Sequence, residues 1–358
     1  MFSYFKRTYT LPFQYNIPTY TEQYLNSHSF FKRFFKFFRR YLYIFFKNHI
    51  KLEQNYIQEN QKNILWINLS APSLGDSLMD LSSRILLEDK KTDLYTDKKN
   101  AHIYFSDGVF ENIFTNYQDL QEAKYDLIII DSYGTKSLKT KFSYFPKIPY
   151  VGMYGYYNGP EVNRVLYSFH RMNQLLGYKK SEFEINNIAK SMIYISKDDE
   201  KIITTVSLPQ NYISIAIGGE WEYRTYKFWN KIIKYILEKY PEENIVLIGS
   251  TNALQEATIL SQKFEKKIYN MVAKYSFNQT AQIIKNSNLL LCCDGGLMHA
   301  ANSVQTPIIP LFARLTPAMQ LTTAIKAYPL FDEINVNNIK PEQIIKKFED
   351  YKRENHEY

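Results

Sequence analysis

Residues Asn288 to Pro317 read Asn-Leu-Leu-Leu-Cys-Cys-Asp-Gly-Gly-Leu-Met-His-Ala-Ala-Asn-Ser-Val-Gln-Thr-Pro-Ile-Ile-Pro-Leu-Phe-Ala-Arg-Leu-Thr-Pro. The apolar run Leu289 to Cys293 predicts a buried parallel strand. Asp294-Gly295-Gly296 follows as a tight turn, and Leu297 to Val304 predicts a short helix carrying His299. Thr306-Pro307 stops that helix, and Ile308 to Phe312 predicts a second buried strand. Strand, Gly-rich turn, helix and strand make a βαβ unit. Backbone N–H groups at such a helix start favour a phosphate. Ligands of doubly wound sheets bind at the carboxyl ends of strands, where Asp294 to Gly296 would lie. A Gly-containing turn also occurs in α/β proteins without any ligand, so the turn alone leaves both readings open.

The chain has 358 residues, enough for two domains. Its 2 cysteines, Cys292 and Cys293, are strand neighbours that point to opposite faces, which argues against a bond between them. No disulfide framework and no Cys/His cluster with zinc spacing is present, so a reducing compartment is expected. No apolar run reaches the roughly 20 residues needed to span a bilayer. The aromatic N-terminus is broken by charges and has no small-residue cleavage site, unlike a signal peptide.

The formal net charge is +8, and residues 1–60 hold nine Lys/Arg against three Glu. Residues 1–29 read as an irregular arm. On a helical wheel of about 100° per residue, Lys32, Arg33, Lys36, Arg39, Arg40 and Lys47 fall within an arc of about 120°. Phe31, Phe34, Phe35, Phe37, Phe38, Leu42, Ile44 and Phe45 fill the rest. Residues 30–47 therefore predict a basic amphipathic helix. One reading is an interfacial helix on an anionic membrane; the other is a helix packed on the protein's own core. Nucleic acid is a third option and is not expected, because a binding platform needs aromatics interleaved with cations and here the two are segregated. Lys51 to Lys62 reads as a linker.

An N-terminal α/β domain is expected to begin with a strand at Asn63 to Ser70. Gly75 and Asp76 follow in the first loop, with a helix from Ser77 to Leu87. His102 to Phe105 is a strand candidate, Tyr125 to Asp131 a firm buried strand, and Glu161 to Leu176 a helix ended by Gly177. That helix carries Arg164, His170 and Arg171, cations of the kind that sit on surfaces or meet a phosphorylated acceptor. Ser191 to Ser196 predicts a short strand, and a helix runs from Lys197 to before Pro209. The expected organisation is an arm and helix over 1–62, one α/β domain over 63–208 and a second over 209–358. In the second, a strand at Tyr212 to Ile217 ends at Gly218-Gly219, and Arg224 and Lys227 precede a helix.

The pattern Asp294-x-Gly296-x-x-His299-x-Ala301, then Pro307 and Leu311-Phe312, resembles the nucleotide-sugar half of glycosyltransferase family 9, the lipopolysaccharide heptosyltransferases. Gly75-Asp76 after the first strand and Lys227-Phe228-Trp229 resemble two further family motifs. Tyr269-Asn270 and Lys274 to Phe277 resemble the segment beside the adenine, bringing in Tyr275. The resemblance covers residues 63–351. It implies a GT-B architecture, two Rossmann-like domains facing a cleft, and an inverting, metal-independent transferase without a cofactor. The implied substrates are a nucleotide sugar, ADP-heptose, and a lipid-linked oligosaccharide acceptor of the lipopolysaccharide or lipooligosaccharide core. Asp76 would be the general base, set against a plain helix-capping role. Lys227 would stabilise the departing diphosphate. Gly219, Arg224, Tyr275, Asp294, Gly295, Gly296 and His299 would contact the donor. The location implied is cytoplasmic, peripheral on the inner face of the inner membrane.

The sequence departs from the family at several points. Leu81 stands where the family often has Pro, and Arg314-Leu315-Thr316-Pro317 where it often has Pro-Thr-x-Pro. Gly295 replaces a Ser or Thr, Ala313 replaces a Gly, and the nearest acid after Gly249 is Glu256, later than the family's ribose-holding acid. Another nucleotide sugar, a nucleotide-sugar epimerase and a non-catalytic membrane-bound scaffold are the alternatives.

Overall fold

The computed structural model describes residues 30–153 and 163–356. The chain divides into two compact units that meet in sequence at Ala189 and Lys190.

The first unit holds a five-stranded, all-parallel sheet of β1 (Asn63–Asn68), β2 (Lys91–Thr96), β3 (Phe110–Phe114), β4 (Leu127–Ile130) and β5 (Tyr150–Gly152), in the order β3-β2-β1-β4-β5. Chain order reverses between β1 and β4, so the switch point of this sheet lies there. β4 reads Leu-Ile-Ile-Ile and is wholly buried, as a central parallel strand must be. β2 and β3 lack such a run, and the sequence reading missed both. Asp93 is buried in β2 because Lys124 Nζ (2.6 Å), Tyr125 OH (2.9 Å) and Asn112 Nδ2 (2.8 Å) all donate to it. Residues 102–104 form a 3-10 turn rather than the expected strand. That turn buries Tyr104, whose hydroxyl lies 2.8 Å from Ser77 Oγ.

Helix α1 (Phe30–Phe46) forms where the amphipathic pattern predicts it. Its apolar side is split. Phe37 and Ile44 join the core with Leu65, Ile67, Ile128, Ile130, Phe142 and Tyr150. Phe31, Phe35, Phe45 and Phe46 stay between 55% and 76% exposed. Residues 51–62 are not the free linker expected from composition. Gln54 N donates to Tyr150 O (2.8 Å), Ile57 N donates to Leu175 O (2.7 Å), and Ile57 is buried. The arm expected over 1–29 lies outside the described residues.

Helices α2 (Leu74–Asp80), α3 (Thr135–Tyr144), α4 (Arg164–Leu175) and α5 (Glu182–Ile188) complete the unit. α2 starts three residues before the predicted helix because Ser73 caps it, and the predicted tail becomes a 3-10 run over Ser82–Leu87. Gly177, at φ +69°, ends α4 as expected.

A buried polar pair fastens α3 to the segment after α1. Lys141 Nζ donates to Phe145 O (2.7 Å) and lies 3.3 Å from His49 Nδ1, while the His49 ring stacks on Phe142 at 3.8 Å. Burial and then the neighbouring Lys141 push His49 down to about 4; burial pushes Lys141 down to about 7. Both take up protons less readily folded than unfolded. The Lys141 share of stability is lost as pH falls from its unfolded value near 10.5 to about 7. The His49 share is lost as pH falls from near 6.5 to about 4. Asp131, pushed up to about 6 by burial, runs the opposite way, losing stability as pH rises from near 3.8 to 6. The diagnostic is therefore a difference. Melting scans from pH 7 to 4 should show the wild type losing more stability than His49→Gln, with the gap opening below pH 6.5.

The second unit holds a six-stranded, all-parallel sheet of β6 (Ile213–Ala216), β7 (Ile245–Ile248), β8 (Ile268–Asn270), β9 (Leu289–Cys293), β10 (Ile308–Ala313) and β11 (Leu330–Asp332). Its order, β8-β7-β6-β9-β10-β11, is the full dinucleotide-fold order with the switch point between β6 and β9. Helices α6 (Lys197–Thr204), α7 (Trp229–Lys239), α8 (Leu254–Lys263), α9 (Phe277–Lys285), α10 (Gly296–Val304) and α11 (Pro341–His356) accompany it. Trp229, Ile232, Ile236, Leu289, Leu291, Ile344 and Phe348 belong to its core.

Residues 191–196 form no strand, because their backbone bonds elsewhere. Ser191 N donates to Asn302 Oδ1 (3.3 Å) and Ile193 N to Ser303 Oγ (2.7 Å), both on α10. Asn278 Nδ2 donates to Tyr194 O (2.8 Å). These bonds tie 190–208 to the second unit, so the unit begins near Lys190 rather than at Pro209.

Candidate functional site

Each unit gathers its polar loops at its own switch point. In the first, Asp131 follows β4 and ties down the loop after β1. Its carboxylate accepts from Leu69 N (2.8 Å), Ser70 N (2.6 Å), Ser132 N (2.5 Å) and Ser137 Oγ (2.6 Å). Lys99 Nζ holds the same loop by donating to Pro72 O.

That loop delivers Asp76 on the first turn of α2. Asp76 is not the cap; Ser73 is. Asp76 N donates to Ser73 Oγ (3.3 Å), and Ser73 Oγ donates to Asp76 Oδ2 (2.6 Å). The other oxygen, Oδ1, accepts from Arg164 Nη1 (2.8 Å) at the start of α4. Arg164 grips Asp80 as a fork, Nε to Oδ1 (2.7 Å) and Nη2 to Oδ2 (2.5 Å). Asp76 and Arg164 keep 21% and 23% of their side chains open to solvent, while Asp80 keeps 4%. A partly open carboxylate oriented by fixed donors suits proton abstraction. Arg171, by contrast, donates to Gly152 O (3.0 Å) and Gln174 Oε1 (2.6 Å), and His170 is buried.

In the second unit β6 runs into Gly218-Gly219. Gly218 sits at φ +79°, and a Cβ there would meet Ala253 at 2.8 Å. A Cβ on Gly219 would meet Thr225 Oγ1 at 2.7 Å, so both turn positions need glycine. The chain then forms a 3-10 turn over Glu222–Arg224. Arg224 Nη1 lies 3.2 Å from Asp294 Oδ2, joining the loop after β6 to the loop after β9. Tyr223 carries the Arg314 guanidinium over its ring at 3.8 Å and the Arg224 guanidinium at 5.3 Å. Arg314 follows β10 at φ +68°, a region costly for a residue with a side chain.

Gly295 precedes α10 with extended backbone and open space where a Cβ would stand. No side chain caps α10; Met298 N and His299 N donate to Gly295 O (3.1 and 3.3 Å), and the Gly296 and Leu297 N–H groups ahead of them are suited to an anionic acceptor. Cys293, at the end of β9, shows what surrounds it. Burial pushes its thiol up to about 12, Asp294 and Glu256 add to the rise, and Arg224 opposes it. Glu256, late in sequence, is thus close enough to share the field of Asp294 and Arg224, and burial raises its own carboxyl.

The chain thus carries two Rossmann-ordered sheets, one with a carboxylate loop and the other with glycine turns beside the Arg224–Asp294 pair. The family model of glycosyltransferase family 9 (heptosyltransferase) matches residues 157–355, more than half of the chain. The chain belongs to glycosyltransferase family 9. Among solved structures, it resembles the family 9 glycosyl transferase of Veillonella parvula DSM 2008. There the TM-score is 0.67 at 15% identity, over 84% of this chain and 100% of that one. It also resembles the E. coli ADP-heptose lps heptosyltransferase II (TM-score 0.59, 15% identity, 82% and 99% of the two chains). A third likeness is the E. coli heptosyltransferase WaaC with ADP (TM-score 0.61, 14% identity, 81% and 99%). A search of curated proteins by sequence returned no match. At such identities the structures establish the two-sheet GT-B fold.

Within this glycosyltransferase the structure joins some predicted residues and separates others. Arg224 and Asp294 pair directly beside Gly295 and Gly296. Lys227 instead pairs with Glu222 (2.9 Å), with 58% of its side chain exposed, while its backbone N donates to Asn337 Oδ1 (2.8 Å). Burial of Trp229 is what the Lys-x-Trp spacing secures in the structure. His299 is 2% exposed, on the buried side of α10. Tyr275 is half-buried just before Ser276, which caps α9. Sequence reasoning placed Arg164 on the surface or against a phosphorylated acceptor and missed its tie to Asp76 and Asp80; it gave no site role to Asp80, Tyr223 or Arg314. The i, i+4 spacing of Asp76 and Asp80 on one helix face was the available signal for that tie.

Proposed function

We propose that this family 9 glycosyltransferase transfers a heptose from ADP-heptose to a lipopolysaccharide or lipooligosaccharide core, with inversion at the anomeric carbon. The observation that carries the reading is the division of chemistry between the switch points. A fixed carboxylate, Asp76, stands at the first, and Arg224 with uncapped α10 amides stands at the second. Asp76 takes the proton of the acceptor hydroxyl as its oxygen bonds to the anomeric carbon. The bond from that carbon to the diphosphate breaks, and ADP leaves as an anion. Arg224, the Gly295-Gly296 amides and Lys227, swung from Glu222, stabilise that charge. In this reading Asp294 orients Arg224, and Glu256, which shares their field at Cys293, is the acid offered to the ribose hydroxyls. The E. coli relative solved with ADP supports the choice of nucleotide.

A donor panel tests this. ADP-heptose, UDP-glucose, GDP-mannose and CMP-sialic acid are each incubated with a heptose-free lipooligosaccharide core, and acceptor mass is followed. The account expects a heptose increment with ADP-heptose alone; an increment from another donor keeps the transferase and rejects the sugar.

The proposed acceptor is lipid-linked, and α1 is proposed to hold the enzyme on an anionic membrane at the inner face of the inner membrane. No helix among the described residues is long and apolar enough to cross a membrane. The exposed Phe31, Phe35, Phe45 and Phe46 offer apolar area for insertion, beside the cationic arc of the same helix. Wild-type protein should float with phosphatidylglycerol-containing vesicles and not with neutral ones. Phe35→Ser with Phe46→Ser should weaken binding on the order of 100-fold. A wild type that stays unbound to either vesicle contradicts the membrane assignment.

A further inference from the structure

We infer that Arg164 is the positioning residue of the reaction, holding Asp76 at the angle from which it takes the acceptor proton, with Asp80 as the anchor of Arg164. The inference rests on Asp76 being the base. A carboxylate on an exposed helix turn can rotate about its two side-chain torsions. Here both oxygens are fixed from opposite sides, Oδ1 by Arg164 Nη1 (2.8 Å) and Oδ2 by Ser73 Oγ (2.6 Å). The guanidinium in turn cannot swing, because its Nε and Nη2 form a planar fork on the buried Asp80. Asp80 is one helical turn after Asp76, so a single cation bridges two carboxylates on the same face of α2.

The arrangement also divides the labour of charge. Three donors of one guanidinium serve two anions, with two spent on Asp80 and one on Asp76. Each Asp76 oxygen thus keeps acceptor capacity for an incoming hydroxyl. Lysine cannot replace this. A single ammonium on a flexible stem holds charge but not the planar fork. Three of the five guanidinium N–H groups of Arg164 are thus spent on carboxylates inside the first unit.

The test is a double-mutant cycle in turnover, with the donor that the panel selects. Asp76→Asn, Arg164→Ala and the double variant are compared for kcat and donor KM. If Arg164 works through Asp76, Arg164→Ala lowers kcat about 100-fold with donor KM unchanged. Adding it to Asp76→Asn then costs nothing further. Guanidinium, well below unfolding concentrations, restores part of the Arg164→Ala turnover, and tetramethylammonium does not. Arg164→Lys, which keeps the charge, recovers less than guanidinium does. Losses that multiply in the double variant, with no guanidinium rescue, overturn the inference and leave Arg164 a structural residue. Wild-type turnover in Asp76→Asn alone would overturn the base assignment itself, a separate outcome.

Discussion

Asp76→Asn is expected to lower turnover by about 100- to 10,000-fold while leaving donor binding intact. The change is nearly isosteric. The amide oxygen can still accept from Arg164 Nη1 or Ser73 Oγ, the two bonds that hold the carboxylate now. The amide has no basic oxygen, so the acceptor hydroxyl loses its proton only after attack, and the barrier rises accordingly. Donor binding survives because the residues proposed for it, Arg224, Lys227 and Gly295-Gly296, belong to the second unit. Stability should change little, since Asp76 is partly open and the cap of α2 is Ser73. Kinetics with a matched calorimetric titration separates these expectations. Equal loss of turnover and donor affinity would move Asp76 out of the proton-transfer step.

Asp107→Ala is expected to destabilise the first unit by about 3–5 kcal/mol. Asp107 and Arg84 form an ion pair with no solvent exposure on either side chain. Arg84 Nε and Nη2 donate to Asp107 Oδ2 at 2.9 and 2.7 Å, and Nη1 donates to Leu81 O at 2.9 Å. The guanidinium also lies over the rings of Tyr104 and Phe110, at 5.4 and 5.6 Å. Asp107 Oδ1 meanwhile accepts from Val109 N (3.0 Å) and Phe110 N (3.3 Å), shaping the entry to β3. Removing the carboxylate strands a buried cation and two backbone amides. Replacing both partners, Arg84→Met with Asp107→Ala, should recover much of the loss, because a packed apolar pair carries no uncompensated charge. Urea unfolding of the wild type and these two variants measures this. A loss under about 1 kcal/mol in Asp107→Ala would mean that water reaches the pair.

The second unit was the more legible in sequence, for a physical reason. β7 and β9 read Ile-Val-Leu-Ile and Leu-Leu-Leu-Cys-Cys, runs that only a strand buried on both faces requires. The glycines at 218 and 219 signal turns that no side chain fits. β2 was illegible because its buried positions include Thr92 and Asp93, and the partners satisfying Asp93 lie 19 to 32 residues away. The extended segment 191–196 has strand-like composition, but it spends its amides on Asn302 and Ser303, which no local pattern announces. The same limit hid the partner of Arg164. The tie of that arginine to Asp76 spans 88 positions, whereas Arg224 and Lys227 stand beside the turn they serve. The helix at 30–46 was legible as amphipathic, yet periodicity could not divide its aromatics. Packing did so, burying Phe37 and Ile44 while leaving Phe35 and Phe46 in solvent.

The central claim is that the second unit holds an ADP-sugar through cations at the β6–β9 switch point. Its most direct test is calorimetric titration of ADP, UDP, GDP and CMP into the purified protein and into Lys227→Ala. Lys227 is exposed, so its replacement should leave the fold intact. The account predicts that ADP alone binds and that Lys227→Ala weakens it by roughly 10-fold or more. Tighter binding of another nucleotide, or no binding of any, would contradict it.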